Sequence, residues 1–152
     1  MKISIPILPI MLCPILLITP FAKAEEAQPV ELRPVADGAY SEASAAGTFV
    51  IQSEEEWTIW WTSNIESDAA PPKIDFDKET IVAATMGERN TGGYAIEFTE
   101  ATLSNNTISI TVNTISPNPN DPVTMALTYP YTIAAIPKHE GEIIFKENSG
   151  QE

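Results

Sequence analysis

A chain of 152 residues with 21 acidic and 8 basic side chains, formal net charge −13, repels phosphate backbones and anionic lipid, which argues against nucleic-acid binding. One cysteine, Cys13, and one histidine, His139, leave no disulfide framework and no Cys/His donor set for a transition metal. The length fits one domain.

Residues 1–24 read as a secretory signal peptide. Lys2 is the positive start, residues 3–18 are apolar, and Ala22-Lys23-Ala24 has the small-x-small form of a cleavage site. Pro6, Pro9 and Pro14 interrupt the run, and it is short for a membrane span. A lipid-attachment motif is not met, because Leu12 precedes Cys13 and Pro14 follows it. A cut after Ala24 removes the cysteine and takes the net charge to −15. The mature chain is then expected in the periplasm or outside the cell, with no stable membrane insertion.

Residues 25–47 carry Pro29, Pro34 and Gly38 and read as an exposed lead-in, with one short strand around 30–35. The fold is expected to begin near Thr48, with a strand over 48–52. Ser53 and Glu56 have the spacing of a capping box, so a helix is expected over 54–63, its first turn rich in glutamate. Trp57, Trp60 and Trp61 share one helical face. Such a stripe packs onto a sheet more often than it forms a glycan-stacking platform, the alternative use.

Residues 64–73 form a loop closed by Pro71 and Pro72. The acids Asp75, Asp77 and Glu79 invite a calcium loop, but Thr80 and Met86 stand where that loop needs glycine and a bidentate glutamate. The apolar run 80–86 and the alternating run 94–103 are joined by a polar, glycine-rich link and read as two strands with a hairpin turn. Within the link, Gly92 and Gly93 free the backbone and Tyr94 anchors it. The link is either a plain turn or a binding loop carried on a rigid sheet.

A second hairpin joins 94–103 to 107–115 through Asn105 and Asn106, which tolerate the left-handed turn conformation. Ile108, Ile110 and Val112 share one face; Ile115 is out of phase, which suggests a bulge. Residues 116–122 are a proline-rich surface loop. A strand over 123–128, the segment Tyr129-Pro130-Tyr131, a strand over 132–136, a turn at 137–141 and a last strand over 142–146 complete the fold. Residues 148–152 are a frayed tail.

No hydrolase, zincin or phosphate-loop motif is present, and His139 lies in a polar turn, so no catalytic residue, metal ligand or cofactor is expected. Paired carboxylates of the glycosidase kind stay open, because acids are plentiful. The expected fold class is α+β, mostly antiparallel β, sandwich-like or barrel-like, with one amphipathic helix near its start.

The combination of Phe49-Val50-Ile51, the Trp57-Trp60-Trp61 helix, Asp75-Phe76, Gly87 with Thr91-Gly92-Gly93-Tyr94, and Pro130-Tyr131 before Ile136-Pro137-Lys138 resembles the PrcB C-terminal domain family. The resemblance covers roughly residues 49–145, within a domain expected over residues 48–147. It implies a small β-rich domain, not itself proteolytic, whose partner is a protein, an exported protease above all, which it binds and stabilises. The presented residues would be Arg89, Asn90, Thr91, Gly92, Gly93 and Tyr94, with Pro130 and Tyr131 beside them. The same Arg89–Tyr94 loop is similar, more weakly, to that of chagasin-type peptidase inhibitors, the alternative mode.

Overall fold

The computed structural model describes residues 26–65 and 68–148. The expected signal peptide, with Cys13, and the tail from residue 149 onward lie outside the described residues. In chain order the elements are β1 (Gln28–Pro29), β2 (Arg33–Gly38), β3 (Ala46–Ile51), α1 (Glu54–Asn64), β4 (Glu79–Met86), β5 (Ala95–Ser104), β6 (Thr107–Ile115), β7 (Tyr131–Pro137) and β8 (Glu142–Glu147). They form two four-stranded sheets, β1-β5-β6-β8 and β2-β7-β4-β3. The sheets are mostly antiparallel and sandwich-like, not closed into a barrel, as the alternating pattern led one to expect.

The core has two levels because β4 and β7 are covered on both faces. Ile81 and Ala83 of β4, with Ile133 and Ala135 of β7, pack under the tryptophans of α1. Val82, Ala134 and Ile136 turn the other way and meet Ala101, Ile108 and Ile110 of the second sheet. A strand buried on both sides reads as an unbroken apolar run, which is what residues 80–86 show.

α1 begins as its chemistry requires. The Ser53 hydroxyl accepts from the Glu56 N–H at 3.3 Å. The Glu56 carboxylate reaches back one residue further than a capping box predicts, to the Gln52 N–H at 3.1 Å. Gln52 has just left the β3–β4 ladder, so its N–H is the donor needing a partner. Trp57, Trp60 and Trp61 are 2%, 8% and 7% exposed. Trp57 donates its indole N–H to the Pro72 carbonyl at 2.9 Å and stacks on Trp60 at 6.1 Å. The stripe is core, with no face left for a sugar ring.

Several expectations are corrected. The runs 80–86 and 94–103 do not make a hairpin: β4 pairs with β3 and β7, β5 with β1 and β6, and residues 87–94 cross from one sheet to the other. Residues 25–47 supply more than a lead-in. β2 pairs with β7 from Arg33↔Ala135 to Gly38↔Tyr131, and its proline is accommodated at an edge where the register shifts between Pro34 and Ala36. Residues 123–128 form no strand; Thr128 makes only an isolated bridge to Arg89. The β5–β6 hairpin forms as expected, with φ of 49° and 61° at Asn105 and Asn106. Its bulge lies between Phe98 and Glu100, whereas Ile115 stays in register with Ala95 and is exposed at the strand end. That bulge resets the phase, so that Ile96 and Phe98 before it and Ala101 and Leu103 after it all pack inward. Finally, β8 runs parallel to β6, because the chain leaves β6, passes through β7 in the other sheet and returns in the same direction.

Candidate functional site

The crossover 87–94 is shaped by two glycines in the left-handed region. Gly87 has φ +71°, and a Cβ there would stand 2.8 Å from the Ala46 nitrogen, so the chain can leave β4 against the start of β3 only at glycine. Gly93 has φ +89° and lies against Pro117, where a Cβ would approach to 2.9 Å. Between them the backbone is bound to the segment before β7. Arg89 and Thr128 exchange N–H···O bonds of 2.8 and 2.9 Å, and the Gly92 N–H donates to the Thr124 carbonyl at 2.9 Å. The buried Thr128 hydroxyl donates to the Thr91 carbonyl at 2.8 Å. This is a braced loop rather than a free one.

Arg89 and Tyr94 meet across it. The guanidinium carbon lies 5.6 Å from the centre of the Tyr94 ring, within cation–π range. One terminal nitrogen donates to the Glu88 carbonyl at 3.3 Å, and the buried Nε has no hydrogen-bond partner. The neighbouring carboxylate of Glu88 is engaged elsewhere, accepting from the Tyr129 hydroxyl at 2.9 Å. That hydrogen bond, helped by desolvation, holds the Tyr129 hydroxyl above its ordinary pKa. The ion pairs among the described residues, Arg33–Glu79 and Lys78–Asp75, do not involve Arg89.

Both side chains line a groove of about 730 Å³ between the sheets. Ala46 and Thr48 of β3 with Met86 of β4 form one wall; Ile96, Val112, Thr114 and Phe145 form the other, with Glu147 on its rim. The groove exists because the face of β3 toward the second sheet is not covered: Ala46, Thr48 and Val50 are exposed there, beside the buried Ala84 and Val82 of β4. The crossover 87–94, running from one sheet to the other, closes one end.

Of the residues singled out from the sequence, the structure brings Arg89 and Tyr94 together at the groove. Asn90 and Gly93 are exposed on the loop, while Thr91 and Gly92 are half-buried against 124–128. Pro130 is fully buried, its carbonyl accepting from the Met86 N–H at 2.8 Å. Tyr131 packs on the α1 face of its sheet, away from the groove, where burial raises its hydroxyl pKa. Sequence reasoning missed Thr124 and Thr128, which brace the loop, and the groove walls at 46–48, 112 and 145. No local pattern marks these residues, since the topology alone brings them together. Among the described residues no three His, Cys, Asp or Glu side chains gather as a metal site would need, and no helix is long and apolar enough to cross a membrane.

Residues 80–137 match the family model described as PrcB C-terminal. Over these residues the chain is PrcB C-terminal-like. No curated protein and no solved structure matched it. The PrcB-like match runs from β4 through the crossover and the β5–β6 hairpin to the end of β7. It therefore holds Arg89, Tyr94 and the segment that braces them, while β3 and β8, which complete the groove, flank it.

Proposed function

We propose that this chain is an exported, non-catalytic protein-binding module that associates with and stabilises a secreted protease. The PrcB C-terminal match supports association with a protease complex. The observation that carries recognition at this site is Arg89, a cation fixed over Tyr94 by the bridge to Thr128 and free of any ion pair among the described residues, in a strongly acidic chain. A braced loop loses little conformational entropy when it docks, and arginine against an aromatic ring is a frequent anchor of protein interfaces.

The test is native co-purification from the producing cells, with mass spectrometry of what travels with the chain. An exported protease in stoichiometric amount, with a shorter active life when the module is deleted, is the expected result. A chain that runs alone, with protease lifetime unchanged by its deletion, overturns the proposal.

A further inference from the structure

The two sheets have four edges, and three of them are guarded. β1 is two residues long and ends in Pro29. β2 carries Arg33, Pro34 and Asp37 and a break in register. β8 carries Glu142, Lys146 and Glu147. Charge, proline, shortness and bulges are the devices that stop a sheet edge from pairing with another chain. β3 has none of them. Its six residues, Ala46 to Ile51, hold no charge and no proline, and pair with β4 in unbroken register. Apart from that ladder and a long contact of the Thr85 hydroxyl with the Gly47 carbonyl, 3.5 Å, on the β4 side, no hydrogen bond reaches the main chain of residues 46–51 among the described residues.

Space lies open on both faces of this edge. On one face is the groove between the sheets, ending at Arg89. On the other, a cavity of about 610 Å³ lies between β3 and α1, lined by Phe49 of β3 with the exposed Ile59 and the rim of Trp60 of α1. A small molecule needs one pocket. An added strand, whose side chains alternate between faces, needs one on each side.

We infer that β3 is a docking edge for an extended segment of a partner protein, added antiparallel to β3, with its C-terminal carboxylate on Arg89. The inference rests on the protein-binding reading above and names the chemistry of the partner. The direction follows from the crossover 87–94, which closes the groove at the Ala46 end of β3, so a segment lying along the edge must stop there. A chain terminus delivers a carboxylate at that point, and Arg89 presents a planar cation with a buried, unpartnered Nε and no ion pair among the described residues. Glu147, which lines the same groove, disfavours a second acid in the segment and favours a neutral or basic residue.

The probe is a synthetic library of random N-acetyl heptapeptides with free C-terminal carboxylates, and the same library as C-terminal amides, presented to the purified full chain. Captured carboxylate peptides should bind at least about tenfold more tightly than their amides, as expected for one charge-assisted contact. Arg89→Gln should lose the same factor, and Thr48→Trp, which fills the groove from an exposed wall position, should lose binding while the melting temperature stays that of the parent. Amide NMR shifts should fall on β3. Capture from neither library, equal binding of acids and amides, or octanoate displacing the peptides at equal affinity overturns the inference; so does a concentration-dependent dimer through β3 that excludes the peptides. A protease that still co-purifies with Arg89→Gln and Thr48→Trp variants sinks this docking edge and leaves the binding module standing.

Discussion

Gly87 and Gly92 lie in the same crossover and differ in kind. At Gly87 a side chain meets backbone, the Ala46 nitrogen and the Ala45 carbonyl carbon, in a left-handed conformation, so neither the neighbour nor the dihedral can yield. Gly87→Ala should cost at least about 2 kcal/mol in urea unfolding. At Gly92 the obstacle is the Thr124 hydroxyl, the end of a side chain that can rotate, and no positive φ is involved. Gly92→Ala should cost under about 1 kcal/mol, and Thr124→Ala in the same chain should remove most of that cost. The tyrosines give a pH signature. Hydrogen bonding to Glu88 raises the Tyr129 hydroxyl and burial raises that of Tyr131, both from an ordinary value near 10. The folded chain then holds these protons more tightly than the unfolded one. Their contribution is complete below about pH 10 and is lost as pH climbs through the raised values. Thermal melts should fall along that limb, and the Tyr129→Phe, Tyr131→Phe double variant should flatten it.

Among the elements, α1 was the most legible, because its signals are local. A serine before three glutamates sets the start, and tryptophans at helical spacing set the buried face. Ser53→Ala should cost about 1 kcal/mol by loss of the cap. Trp57→Ala, at the most buried of the three indoles, should cost about 3–5 kcal/mol and open the remaining tryptophans to a quencher, seen as increased fluorescence quenching. The Asn105–Asn106 turn was legible for the same reason. β2 was not, because Pro34 reads as a breaker until the sheet edge that tolerates it is known. Residues 123–128 look strand-like, yet Met125 is 88% exposed and only Thr128 pairs; their role is to brace the crossover.

At the scale of the molecule, the apolar run 80–86 announced burial on both faces but could not name its neighbours. A hairpin with β5 and a crossing to the other sheet leave the same local trace. The candidate site was legible to the same depth: Arg89 and Tyr94 stood out in a glycine-rich link, whereas the groove needs β3, β6 and β8 brought together from distant positions. That topology also sets an order of events during synthesis. The β3–α1–β4 unit is contiguous and can pair as soon as residue 86 is available. β7 alone joins β2 to β4, and β8 reaches β6 only after β7 has been placed. A chain delivered N-terminus first therefore waits, with one side of β4 open, until nearly its last described residues arrive. Nascent chains stalled before residue 131 should be protease-sensitive and held by chaperones, while those released past residue 147 close in a single late step.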